Sequence, residues 1–262
     1  MGVFSWLSKG LVTPTEAQPH GLPGVQGKTV QELSDSLRTF AWDAWSVEGD
    51  REPLRAALVK LVDHPSPIIR SEAVHAWVQL LGPEFHPAQV AWLEQLLERG
   101  GLSADAGKYL LQGAVKLARV GGVRLVEHFS MHPDARMRGQ VARWCGVAVL
   151  PVEDSRRLLF ELLEDFDASV RAEAAHAAAA LFPDPELALR LVAMSRVEVV
   201  EEVRINLATS LVRFGRGRDP HVLAAVTRFQ NDPRWRVREA TEEALEFTET
   251  DVGERRLGSQ VA

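Results

Sequence analysis

The sequence predicts an all-α fold, a right-handed α-solenoid of about six helical hairpins with one further helix capping its N-terminal edge. Three observations carry this. A pattern built around an arginine recurs with a period in the low thirties. Several copies follow a turn containing Asp and Pro, and an amphipathic stretch lies upstream of each copy. Two helices then fill each period and leave almost no room for strands.

The arginine copies open helices at Pro67-Ile68-Ile69-Arg70-Ser71-Glu72-Ala73 and Ala135-Arg136-Met137-Arg138-Gly139-Gln140-Val141. They continue at Ala168-Ser169-Val170-Arg171, Glu201-Glu202-Val203-Arg204 and Arg234-Trp235-Arg236-Val237-Arg238. An apolar residue precedes each arginine, and small or apolar residues recur three, six and seven positions after it. The steps 138 to 171 and 171 to 204 are 33 residues, and 204 to 238 is 34. Arg70 to Arg138 is 68, two such units, so a degenerate copy belongs between them. Ser103 to Val120 supplies it, with Lys108 near the arginine's place.

The turns Asp63-His64-Pro65, His132-Pro133-Asp134 and Asp232-Pro233 end one helix and start the next, because Pro suits a helix start but cannot continue one. The first helices of the hairpins include Leu54 to Val62, Val90 to Leu97, Ser155 to Leu163, Glu186 to Met194 and Val222 to Phe229. An additional helix is expected over Val30 to Trp45, with Thr29 and Glu32 forming a capping box. The expected organisation is a flexible segment at 1–28, the solenoid at 29–247 and a tail at 248–262. Ala172 to Ala180, interrupted only by Glu173 and His176, is a small-residue helix that lets its neighbours approach closely.

These residues resemble the HEAT-repeat family, especially the short HEAT-like repeats of bacterial proteins. In that family an Asp-Pro turn precedes Val-Arg-x-x-Ala-x-x-Ala-Leu. Val170-Arg171 with Ala174 and Ala177, and Val237-Arg238 with Ala244-Leu245, are the best copies, and the resemblance runs from Arg51 to Phe247. It implies a stack of hairpins, each covering the next one's apolar face. It says little about function, which resides in sites grafted on the fold.

Composition narrows the classes. The chain is 46 % hydrophobic and 25 % charged, enough to bury a sizeable core. Its net charge of −6 argues against a general nucleic-acid binder, which needs a basic excess to displace counterions. Cys145 is the only cysteine, which excludes an intramolecular disulfide and a thiolate metal cage, and its apolar setting predicts a buried small hydrophobe. A cytoplasmic location fits. No apolar run reaches transmembrane length. The opening ten residues are too short and too weakly charged for a secretory signal, and they miss the myristoylation pattern.

No catalytic motif stands out, so an enzyme is not expected. Phosphate-cradling glycine loops and nucleophile elbows are missing, and no cofactor is implied. One HEAT-repeat metalloenzyme family relies on His-Glu dipeptides, of which this sequence has none. His128 and His132 stand i, i+4, but Pro133 places His132 at a helix end, so no metal is expected. Trp77 and Trp144 fall on the core side of their helices and read as packing rather than base-stacking platforms. The recurring arginines are expected to brace the turns before them by pairing with an Asp or a carbonyl.

The expected function is an intracellular scaffold that binds a protein or peptide through the inner groove of the solenoid. Core positions −1, +3, +7 and +10 from each arginine put +1, +5 and +8 on the opposite side. Those positions give groove residues His75, Arg143, Ala172, His176, Ala179 and Thr209. This stripe is small and apolar in its middle, which predicts a cover: a partner's amphipathic helix, or the chain's own Phe4-Trp6-Leu7 segment on its Pro/Gly tether. Tight curvature that closes the groove is the alternative. The competing class is nucleic-acid binding through Arg213, Arg216, Arg218, Arg234 and Arg236, a disfavoured reading given the acidic balance. A HEAT-like family of DNA glycosylases works through such a basic face, and a helical-repeat lyase subunit acting on a pigment-carrying protein is a third class.

Overall fold

The structure, a computed structural model, describes residues 28–44, 51–81, 87–99, 104–147, 150–181, 183–215 and 217–258. Thirteen α-helices and no strand occur among the described residues. The first, α1, spans Val30–Asp43. Thr29 Oγ1 accepts the Glu32 N–H at 3.2 Å, and the Glu32 carboxylate accepts the Thr29 N–H at 2.8 Å. This is the reciprocal capping box that the sequence predicts.

Twelve more helices pair into six hairpins: α2 (Glu52–Leu61) with α3 (Pro67–Gln79), α4 (Pro87–Arg99) with α5 (Ala104–Lys116), and α6 (Val123–Ser130) with α7 (Ala135–Cys145). Then come α8 (Val152–Leu162) with α9 (Ala168–Ala178), α10 (Pro185–Val197) with α11 (Glu201–Gly215), and α12 (Pro220–Gln230) with α13 (Trp235–Gly258). The short α6 is not among the first helices expected from the sequence, although Leu125, Val126 and Phe129 give it a buried apolar face. Asp134, Asp167, Asp184 and Asp219 cap helix N-termini, each accepting a backbone N–H two or three residues on. Each such cap is worth about 1 kcal/mol. Helix α13 continues through the expected tail to Gly258, because no proline interrupts its sequence after Pro233.

The chain divides into two compact units, Met1–Leu125 and Val126–Ala262. In the first, α3 packs between α1 and α5, so α1 occupies the place of a preceding second helix and covers the edge of α3. Its outer side exposes Gln31, Asp35 and Thr39, the polar finish that a terminal element of a stack needs. In the second unit, α7, α9, α11 and α13 form a continuous row, each packed on the one before.

The arginine register is the predicted one. Arg70, Arg138, Arg171, Arg204 and Arg238 are each the fourth residue of a second helix. Positions −1, +3 and +7 are buried in four copies: Ile69, Ala73 and Trp77; Met137, Val141 and Cys145; Val170, Ala174 and Ala178; Val203, Leu207 and Leu211; in the last, Val237 and Thr241 are buried and Leu245 half-buried. Trp77 packs against Trp92 with ring centroids 4.0 Å apart and planes tilted by 31°, a packing role as expected, whereas Trp144 is half-buried.

The opposite stripe behaves differently from the expectation. Ala172 at +1 is only 5 % exposed, and Ser71 and Gly139 at the same position are also buried. At +8, Val78 and Val212 are buried and Gly146 and Ala179 half-buried. A second helix has neighbours on both sides in its row, so its buried arc is wider than a single core contact gives. The small residues let those neighbours close in. A Cβ on Gly146 would stand 3.1 Å from both Cα and Cβ of Ala177 in α9. Gly146→Val is therefore expected to force α7 and α9 apart and destabilise the protein by about 1–3 kcal/mol, read as a lower urea midpoint. An unchanged midpoint would show that the two helices do not depend on this approach.

Candidate functional site

In each unit the arginines stand at the turn edge of the second helices. Each donates from Nη1 to the carbonyl six residues back: Arg70 to His64 at 3.0 Å, Arg138 to His132 at 2.8 Å, Arg171 to Asp165 at 2.9 Å, Arg204 to Glu198 at 2.9 Å and Arg238 to Asp232 at 2.7 Å. In the second unit Arg138, Arg171 and Arg204 also reach forward, forming a ladder, to the acid in the turn of the next hairpin. Arg138 donates from Nε and Nη2 to the two oxygens of Asp165 at 2.6 and 2.8 Å. Arg171 grips Glu198 in the same way at 2.8 and 3.2 Å. Arg204 Nε meets Asp232 at 2.9 Å, with Nη2 on the same oxygen. The bracing role expected of these arginines is thus present, and the carboxylate comes from the following turn.

The acids do two jobs as well. Asp165 accepts the Asp167 N–H at 2.8 Å, Glu198 the N–H groups of Val199 and Val200 at 2.9 Å, and Asp232 the Arg234 N–H at 3.0 Å. Where the turn carries histidine instead, the ring substitutes: His64 Nδ1 accepts the Ser66 N–H and His132 Nδ1 the Asp134 N–H. Among the described residues no group of three His, Cys, Asp or Glu side chains is placed to hold a metal ion.

The basic cluster separates in space. Arg234 donates to the Val199 carbonyl at 2.8 Å, and Arg236 to Glu201 at 2.9 Å, so both tie α13 to the start of α11. Arg213 lies in the last turn of α11, about 18 Å along the helix from Glu201. Arg218 is exposed beyond it with φ 57°, and Arg216 lies outside the described residues. The Phe4-Trp6-Leu7 segment also lies outside them.

The predicted groove residues divide in the same way. Ala172 is buried and Ala179 half-buried between second helices. Arg143, 57 % exposed, pairs with Glu173 across α7 and α9. His176 is exposed, and Thr209 is half-buried with its hydroxyl on the Asn206 carbonyl at 3.1 Å. In the first unit His75 is half-buried and stacks on Tyr109 with centroids 4.1 Å apart. Burial pushes its imidazole below the usual range, against the opposing pull of Glu72. Glu72 in turn accepts two N–H groups from Arg38 of α1 at 3.1 and 2.6 Å.

In the second unit the side chains facing water stand at +5 and +9, rotated by about 50° from the predicted stripe. They are Arg143 and Val147, His176 and Ala180, Thr209 and Arg213, then Glu243 and Phe247. This surface is mixed in charge and only partly apolar. Helical wheels drawn from the core direction alone missed Val147, Arg213 and Phe247. Cys145 is buried and its thiol is pushed up to about 12 by desolvation, which leaves it inert.

Paired helices stacked in rows and pinned by a recurrent arginine define a helical-repeat protein of the solenoid class. Residues 158–246 match the family described as HEAT repeats. Among solved structures, a crystal structure of an engineered protein from the Northeast Structural Genomics Consortium aligns at 17 % identity and a TM-score of 0.39, covering 86 % of this chain and 94 % of that one. Human deoxyhypusine hydroxylase in complex with glycerol aligns at 18 % identity and a TM-score of 0.40, covering 94 % of this chain and 96 % of that one. No curated protein sequence matches.

The ladder carboxylates give a pH signature. Burial pushes Asp165, Glu198 and Asp232 up, but the facing arginines and backbone N–H groups outweigh it and hold all three below the ordinary range. Acids depressed in the folded state add stability above their unfolded values of about 4 and lose it as pH falls through the folded ones. The urea midpoint is expected to drop below about pH 4. Asp165→Asn is expected to lower the midpoint at pH 7 and to flatten that acid drop. An equally steep drop in the variant would remove Asp165 from the account.

Proposed function

We propose that this chain is a non-enzymatic scaffold that binds a protein or peptide partner along the exposed stripe of its second helices, centred on Arg143, His176 and Thr209. The observation that supports this best is the division of labour among the side chains. The arginines of the repeat are taken up by the ladder, and the small residues by helix–helix contact. What remains at +5 and +9 is a continuous, mixed polar and apolar surface across four parallel helices, with no part in holding the stack beyond the Arg143–Glu173 pair. Extended surfaces of this kind are what helical repeats offer to peptides, helices and domains. No helix among the described residues is long and apolar enough to cross a membrane, and a cytoplasmic setting suits a chain with a single buried thiol. Nucleic acid is the less favoured partner, because Arg234 and Arg236 serve contacts within the chain and glutamates crowd the surface of α13.

The test is affinity capture from the native host with the full chain and with His176→Glu/Thr209→Glu, each run with and without nuclease. The expected outcome is a protein partner whose recovery resists nuclease and falls at least about tenfold with the double variant, while far-ultraviolet circular dichroism stays the same. Nuclease-sensitive recovery, undiminished in the variant, would instead favour the nucleic-acid class.

A further inference from the structure

Among the described residues the last arginine of the second unit's ladder meets no carboxylate. Arg238 is held like its predecessors, with Nη1 on the carbonyls of Asp232 at 2.7 Å and Pro233 at 3.1 Å. In Arg138, Arg171 and Arg204 this same hold leaves Nε and Nη2 aimed at the carboxylate of the next turn. Among the described residues no acid meets the Nε and Nη2 of Arg238, and the side chain is only half-buried.

We propose that Arg238 is a binding site for a single carboxylate, an aspartate or glutamate side chain presented by a partner protein at the turn edge of α13. Three copies of the same fork, anchored by the same bond to the carbonyl six residues back, already hold carboxylates. A planar guanidinium anchored at one end is a preformed receptor for two oxygens, and its ordering cost has been met by the turn. Trp235, 61 % exposed three residues earlier, offers an apolar surface beside the fork for the carbon stem of an acidic residue. Arg234 and Arg236 add positive charge at the same edge, although both already serve partners within the chain.

The surroundings also select against other anions. Glu239, Glu242, Glu243 and Glu246 are exposed on α13 itself. A polyanion laid along this helix meets all of them, whereas one carboxylate at the turn end meets few. The same glutamates stand at +1, +4, +5 and +8. At +1, +4 and +8 the earlier helices of the second unit carry Gly139, Ala142 and Gly146, then Ala172, Ala175 and Ala179. That face of α13 is therefore unsuited to another hairpin packed in the manner of the row, so the acid must come from a chain that reaches over the edge. The site goes beyond the stripe centred on His176 and does not depend on it.

The test uses the full, isotope-labelled chain and its arginine Nε–Hε resonances, with that of Arg238 assigned by its loss in Arg238→Lys. The probe is an acetylated, amidated peptide of residues 227–233, whose only carboxylate is that of its aspartate, and the control is the same peptide with asparagine there. The aspartate peptide is expected to shift the Arg238 resonance with an affinity on the order of millimolar, as suits one exposed charge-assisted pair. The asparagine peptide should bind at least about threefold more weakly, as should the aspartate peptide to Arg238→Lys, which keeps the charge and loses the fork. Arg119→Lys, exposed in the first unit, should change nothing. Equal shifts with the two peptides, or unaltered binding to Arg238→Lys, overturns the assignment. Tighter binding of a thymidine oligonucleotide than of the aspartate peptide would make the site one for nucleic acid instead.

Discussion

The stack of the second unit depends on one interaction repeated three times: a guanidinium that braces its own turn with one nitrogen and holds the next turn with the other two. The bond to the carbonyl six residues back is local and orients the side chain. The bond to the carboxylate spans 27 or 28 residues and joins one hairpin to the next. Lysine, a point charge on a flexible stem, lacks the fixed fork to do both at once. Such pairs lose hydration on burial, and many buried ion pairs contribute little for that reason. Here the lost water is largely replaced, since each carboxylate also accepts a backbone N–H at the start of the following helix. Removing the arginine would leave each carboxylate with its backbone N–H bonds but without the fork that neutralises it.

The ladder holds the turn edge, and the rest of each second helix is governed by how closely its neighbours approach. Glycine and alanine at +1, +4 and +8 allow that approach in α7 and α9, and the gap at Gly146 has no room for a side chain. The surface left over is consequently narrow. It falls at +5 and +9, where side chains change freely from one repeat to the next, and that freedom is what lets a repeat protein acquire a partner without disturbing its own packing. Both ends of the rows depart from the rule in the same direction, with Gln31, Asp35 and Thr39 on α1 and a run of glutamates on α13.

Much of this architecture was legible in the sequence. The arginine period, the Asp and Pro turns and the Thr29 capping box are local patterns, and each marks its element because the chemistry acts within six residues. The core direction was legible for the same reason, from the apolar residues at −1, +3 and +7. The outward direction was not, because a helical wheel drawn for one core contact ignores neighbours on both flanks, and so Ala172 and Ala179 were assigned to an open groove. The acids were visible at 165, 198 and 232, always six residues before an arginine. Their ties to Arg138, Arg171 and Arg204 cross between hairpins, where no helical period points. The basic cluster misled for a related reason: Arg213 and Arg236 are close in the sequence but lie near opposite ends of α11.

The coupling between Arg171 and Glu198 tests this account most directly. Urea unfolding of the wild type, Arg171→Ala, Glu198→Gln and the double variant closes a thermodynamic cycle that isolates the pair. The account predicts a coupling energy of about 1.5–3 kcal/mol, with each single variant losing nearly as much stability as the double. A coupling below about 0.5 kcal/mol, the level of an ordinary surface pair, would mean that helix packing holds the repeats together and the ladder only decorates it.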